Sequence, residues 1–100
     1  MEGMYDVMKI FYIEEYNGKY LVKVNLSLAG FNVSKIPGSW AVFEARLFGL
    51  SYANYLRMCR DIYGAEIIGK NRKYPCAYMD ETNAKKLAKV LEKRWAALSN

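Results

Sequence analysis

Proton transfer, nucleophilic attack and metal binding depend on a few side-chain types, and the most versatile of them, histidine, is absent from the 100 residues. Its absence removes Ser-His and Cys-His nucleophile pairs, histidine-ligated metals and imidazole switches near neutral pH. Cys59 and Cys76 are the two thiols. Without further soft ligands they make no structural zinc site, and both are expected to be reduced, buried and inert. Adjacent carboxylates occur as Glu14-Glu15 and Asp80-Glu81. In a strand such neighbours point to opposite faces, and at a helix start they act as caps and dipole partners, so neither pair reads as a catalytic acid and base. The remaining carboxylates are expected to stay solvated. No two of the seven glycines stand as Gly-x-Gly, which excludes a dinucleotide fingerprint and a phosphate-cradling loop. The expectation is a protein that is not an enzyme and uses no cofactor and no metal.

What remains is cationic. Fifteen Lys and Arg against ten Asp and Glu give a formal charge of +5 at pH 7. Residues 1–45 carry four basic and five acidic side chains, whereas residues 46–100 carry eleven and five. The whole excess lies in the second half, a distribution that favours contact with a polyanion, nucleic acid first, although a solvated surface gives the same count. There is no N-terminal apolar core with a cleavage site and no run near the roughly 18–20 apolar residues of a membrane span, so a cytoplasmic protein without membrane contact is expected. An apolar fraction of 53% calls for a packed globule, and the length suits one domain over 1–100.

The elements that must position these cations can be read from turn chemistry and period. Two β-rich runs flank Asn17-Gly18, the pair that tolerates positive φ at both centres of a type I′ turn, which predicts a hairpin over residues 5–28. That turn sets Tyr16 opposite Lys19, Ile13 opposite Val22 and Phe11 opposite Val24. Val7, Phe11, Ile13, Tyr20, Val22, Val24, Leu26 and Leu28 then share the core face. Residues 29–39, with Gly30, Asn32, Ser34, Pro37 and Gly38, read as a loop. Residues 40–63 are helical in composition, between a candidate N-cap at Ser39 and Gly64 as the C′ residue. One unbroken helix there would be about 36 Å long, too long for a domain of about 13 Å radius of gyration. Gly49, followed by Leu50 and the capping residue Ser51, is where it is expected to kink or break.

After Gly64, short β runs at residues 65–69 and 74–79 flank the turn Lys70-Asn71-Arg72-Lys73, with Pro75 placing its strand at a sheet edge. Ala84, Leu87, Ala88, Leu91, Trp95 and Leu98 recur at helical spacing behind Asp80 or Thr82, and Lys85, Lys86, Lys89 and Lys93 cover the other side. The fold class is therefore α+β: β-hairpin, kinked helix or helix-turn-helix, second β-hairpin, C-terminal amphipathic helix.

One constellation stands above this background. Ala45, Phe48, Gly49, Leu50, Tyr55 and Met58 provide a small residue four before a glycine, apolar residues on either side of it, and apolar positions six and nine beyond it. Residues 44–58 thereby resemble the helix-turn-helix motif of the lactose- and lambda-repressor type. The resemblance implies that Ala45 lets two helices approach, Gly49 takes a left-handed turn and Ser51 caps a helix able to enter a major groove. It departs from the pattern at Glu44, where the first buried position falls, at Leu56, where a polar contact is usual, and at Tyr55, where valine or isoleucine is common. On this reading Ser51, Asn54, Arg57 and Arg60 belong to the reading helix. Lys70, Arg72 and Lys73 follow on a hairpin laid out like the wing of a winged-helix domain, as phosphate contacts.

The nine tyrosines invite a stacking platform for single strands, yet only Tyr12, opposite Lys23, is expected to be exposed. The leading expectation is a small non-enzymatic nucleic-acid-binding module that docks electrostatically with limited base readout. The alternative is a protein partner: short, motif-poor, tyrosine-rich α+β chains look like phage or mobile-element accessory proteins, including anti-CRISPR and other anti-defence inhibitors, which occlude a partner's surface through tyrosine and arginine anchors.

Overall fold

Asn17 and Gly18 take φ of 51° and 78°, the left-handed pair that a type I′ turn requires, and they fix the first hairpin. The computed structural model describes residues 10–25, 39–69 and 75–99. Strand β1 (Phe11–Tyr16) pairs antiparallel with β2 (Lys19–Val24) in the expected register, Tyr16 facing Lys19, Ile13 facing Val22 and Phe11 facing Val24. Phe11, Val22 and Val24 are buried and Ile13 packs against them; Val7, Leu26 and Leu28 lie outside the described residues, as does most of the 29–39 loop. The opposite face is less polar than alternation suggests, because Leu21, opposite Glu14, is buried too. Nor is Tyr12 alone in solvent: it is 36% exposed, and Tyr16 at the turn is 61% exposed.

Helix α1 (Ser39–Leu47) and helix α2 (Tyr52–Tyr63) replace the single helical stretch. The rod of about 36 Å expected from 1.5 Å per residue would exceed the longest dimension of the molecule, 33 Å, and the break falls at Gly49, with φ 69°. Gly64 closes α2 in the left-handed region at φ 65°.

Strand β3 (Glu66–Ile68) then pairs antiparallel with β4 (Cys76–Tyr78). These strands are shorter than the sequence suggests. Pro75 falls just before β4, which as one strand of a two-stranded sheet has the edge position expected from the missing N–H donor. Immediately beyond β4, Met79 exchanges both backbone hydrogen bonds with Tyr20 at 2.7 Å each. β4 is thus flanked by β3 on one side and stitched to β2 on the other.

Asp80 rather than Thr82 starts helix α3 (Glu81–Ser99): its Oδ1 accepts the Asn83 N–H at 2.7 Å, and its carbonyl accepts the Ala84 N–H. Ala84, Leu87, Ala88 and Leu91 are buried, Trp95 is half-buried, and Lys85, Lys86, Lys89 and Lys93 face solvent, the amphipathic split that the spacing predicts. The α3 stripe packs on both strands of the first hairpin. Phe43 of α1 bridges the layers, its ring 6.2 Å from Phe11 and 5.6 Å from Trp95. The class is α+β. Among the described residues no helix is long and apolar enough to cross a membrane.

Candidate nucleic-acid interface

The turn between α1 and α2 is built from backbone chemistry at Gly49. Its positive φ lets the Gly49 N–H reach the Arg46 carbonyl at 2.9 Å and the Leu50 N–H reach the Ala45 carbonyl at 3.0 Å, the paired bonds of a Schellman closure. Ala45 is 1% exposed, so its small side chain lies within the apolar core at this end of α1. Arg94 of α3 reinforces the same end: it donates to the Leu47 carbonyl at 3.2 Å, and its guanidinium lies 4.4 Å from the centre of the Phe48 ring. Two residues later Ser51, in extended conformation, caps α2 by accepting the Asn54 N–H at 3.2 Å.

Capping fixes which way α2 faces. Tyr55 and Cys59 point into the core, Tyr55 also packing its ring 5.7 Å from Phe48, while Leu50 and Met58 pack at the margin. Asn54, Arg57 and Arg60 fall on the opposite, exposed side, at the i, i+3 and i+6 spacing that keeps them on one helix face. Arg60 pairs its Nε with Asp61 Oδ1 at 2.9 Å; exposed as both are, that contact contributes little. Of the expected contact residues, then, Asn54, Arg57 and Arg60 come together. Ser51 is exposed beside them with its hydroxyl engaged as the cap. Lys70, Arg72 and Lys73 lie outside the described residues. Sequence reasoning passed over Arg46, exposed in the last turn of α1, because the motif assigns no contact there.

The base of the second hairpin is tied to α2 by the Tyr52 hydroxyl, which donates to the Pro75 carbonyl. Burial pushes the Tyr52 phenol well up from its ordinary range, which keeps it a donor.

Glu44 corrects the expectation that the carboxylates are solvated: it is 2% exposed, the one buried charged residue among those described. Its Oε1 accepts the Tyr55 hydroxyl at 2.8 Å. Two of the departures from the repressor pattern, an acid at the first buried position and a tyrosine in place of a β-branched residue, are therefore one interaction across the seam. The signal was present in the sequence: two polar groups at positions that the pattern buries must satisfy each other. Burial raises the Glu44 carboxyl well above the carboxylate range, against a smaller lowering by the Tyr55 hydrogen bond. Cys59, fully buried beside Tyr55, has its thiol pushed up to about 12 by burial, so it is a packing residue; Cys76 is only half-buried, which corrects half of the expectation for the two thiols. Among the described residues no cluster of three or more metal-ligating side chains occurs.

No protein-family model matches this chain, and neither the curated proteins nor the solved structures contain a match to it.

Proposed function

We propose that the chain is a small nucleic-acid-binding module in which α1 and α2 serve as a helix-turn-helix and the exposed face of α2 meets the groove. The observation that carries this reading is the orientation of α2. The Gly49 turn and Ser51 cap bury Tyr55 and Cys59 and leave Asn54, Arg57 and Arg60 together in solvent. Arginine and asparagine are the side chains that read guanine and adenine edges bidentately. Arg46 supplies a further cation, and the sequence places Lys70, Arg72 and Lys73 between β3 and β4, where a wing carries its phosphate contacts.

The test is a titration of short duplexes across salt concentrations. Binding dominated by phosphate contacts weakens steeply with salt, each contact adding about −0.9 to the log–log slope. Arg72→Ala or Lys73→Ala then flattens that slope by about one unit with sequence preference unchanged, whereas Asn54→Ala or Arg57→Ala relaxes preference at one or two base positions. Weak binding at low salt that is indifferent to all four substitutions would sink the reading.

A second reading draws on apolar side chains left in solvent, Tyr16 at 61% and Ile62 at 66% exposure. They suit occlusion of a protein surface, as an anti-CRISPR-like inhibitor would do. A pull-down from source-cell lysate with and without nuclease separates the two: loss of all co-purifying material on digestion supports nucleic acid, and a surviving stoichiometric protein supports the inhibitor.

A further inference from the structure

Glu44 borders a small, partly open cavity of about 10 Å³, close to the room one water molecule needs. Only one of its two carboxyl oxygens is satisfied: Oε1 holds the Tyr55 hydroxyl, and Oε2 has no hydrogen-bond partner. Among the described residues the other titratable groups lining the cavity, Tyr52, Tyr55 and Cys59, all come from α2, whereas β2, β4 and α3 contribute apolar side chains such as Val22, Ala77 and Leu87. Among the described residues neither lysine nor arginine borders it. Cys76 on β4 acts on Tyr52 rather than on the carboxyl. A carboxylate formed here would be desolvated, and among the described residues one neutral donor and no counter-charge offset it.

We propose that Glu44 is a proton-dependent latch between α1 and α2. With its proton in place the neutral carboxyl completes the buried seam. When a solvent base removes that proton, the carboxylate recruits water into the cavity and α1 parts from α2 about the Gly49 turn. Burial holds the Glu44 proton on and also pushes Tyr52, Tyr55 and Cys59 upward, so the three neighbours stay neutral while Glu44 ionises. The latch concerns the seam itself, whatever the outer face of α2 binds.

Since the folded-state affinity of Glu44 for its proton is raised, the stabilisation is fully present below the unfolded pKa, about 4.3 for glutamate. It is lost as pH rises toward and through the folded value, the folding constant falling by up to about tenfold per pH unit in that interval. The experiment is a carbon-detected NMR titration of the side-chain carboxyl in the intact chain. Urea unfolding across pH and amide exchange are measured alongside it, for the wild type and for Glu44→Gln, which keeps an acceptor for Tyr55 and cannot ionise. The expected result is a Glu44 carboxyl titrating well above the ordinary glutamate range, a wild-type stability that falls with alkalinity, a flat profile for the glutamine variant in the same interval, and α1 amides opening before those of α3. A Glu44 carboxyl titrating near 4.3, an equal pH slope in both proteins, or simultaneous opening of α1 and α3 would overturn the latch. Should the glutamine variant not fold, the wild-type titration decides alone.

Discussion

Tyr55 carries three duties at one position: its ring packs on Phe48, its flank fills the core, and its hydroxyl supplies the hydrogen bond that Glu44 receives. Tyr55→Phe separates them, because it keeps the ring and removes the hydroxyl, which also meets the Cys59 side chain. Glu44 would then be buried with both oxygens unpaired, a condition that costs about 1–3 kcal/mol. Its carboxyl should also titrate still higher, since the Tyr55 hydrogen bond is what lowers it. Urea unfolding near pH 5 measures the first effect and the carboxyl titration the second; a variant as stable as the wild type would mean that the hydroxyl is not the partner Glu44 depends on. Reading residues one at a time missed this pair, as each looked like a separate flaw in a motif. A buried polar group is interpretable only with its partner, and the partner lies on the other helix.

At the scale of elements, the α1–α2 turn rests on backbone conformation more than on contacts. A Cβ built on Gly49 meets no atom within 4 Å, yet its φ of +69° is one that L side chains rarely adopt. Gly49→Ala should therefore destabilise by about 1–2 kcal/mol through left-handed strain, a loss larger than the about 0.4–1 kcal/mol that a stiffer unfolded chain returns. Gly49→Asn should lose less, since asparagine visits that region more readily. Thermal unfolding of the three proteins ranks them, and a stabilised alanine variant would indicate that α1 and α2 can run on as one helix. Turns of this kind were legible in advance: Asn17-Gly18, Gly49 with Ser51, and Gly64 each announce a conformation that few other residues tolerate. The bridge between Tyr20 and Met79 was not, because backbone pairing between distant segments leaves no side-chain signature, and the burial of Leu21 on the supposed outer face was equally invisible to a period-two reading. Of the candidate interface, the grouping of Asn54, Arg57 and Arg60 followed from helical spacing alone, whereas Arg46 and the Arg94 contact with Leu47 required the tertiary fold.

At the scale of the whole fold, the two hairpins and three helices of the described residues share one apolar cluster running from Phe11 and Val24 through Ala45 and Tyr55 to Leu87 and Leu91. The candidate reading helix is therefore held by the same core as the first hairpin, through α3 on one side and the Tyr20–Met79 bridge on the other. Leu91, fully buried at the centre of α3, tests that coupling. Leu91→Ala should cost about 2–5 kcal/mol, a large share of the roughly 5–15 kcal/mol that holds a typical domain together. If the core is one cooperative unit, tryptophan fluorescence and far-UV circular dichroism must shift to the same lower urea midpoint in the variant, with coincident transitions. Two separated transitions would show instead that the β1–β2 hairpin and the α1–α2 unit unfold independently. The outer face of α2 would then owe its orientation to the Gly49 turn and the Glu44–Tyr55 seam alone.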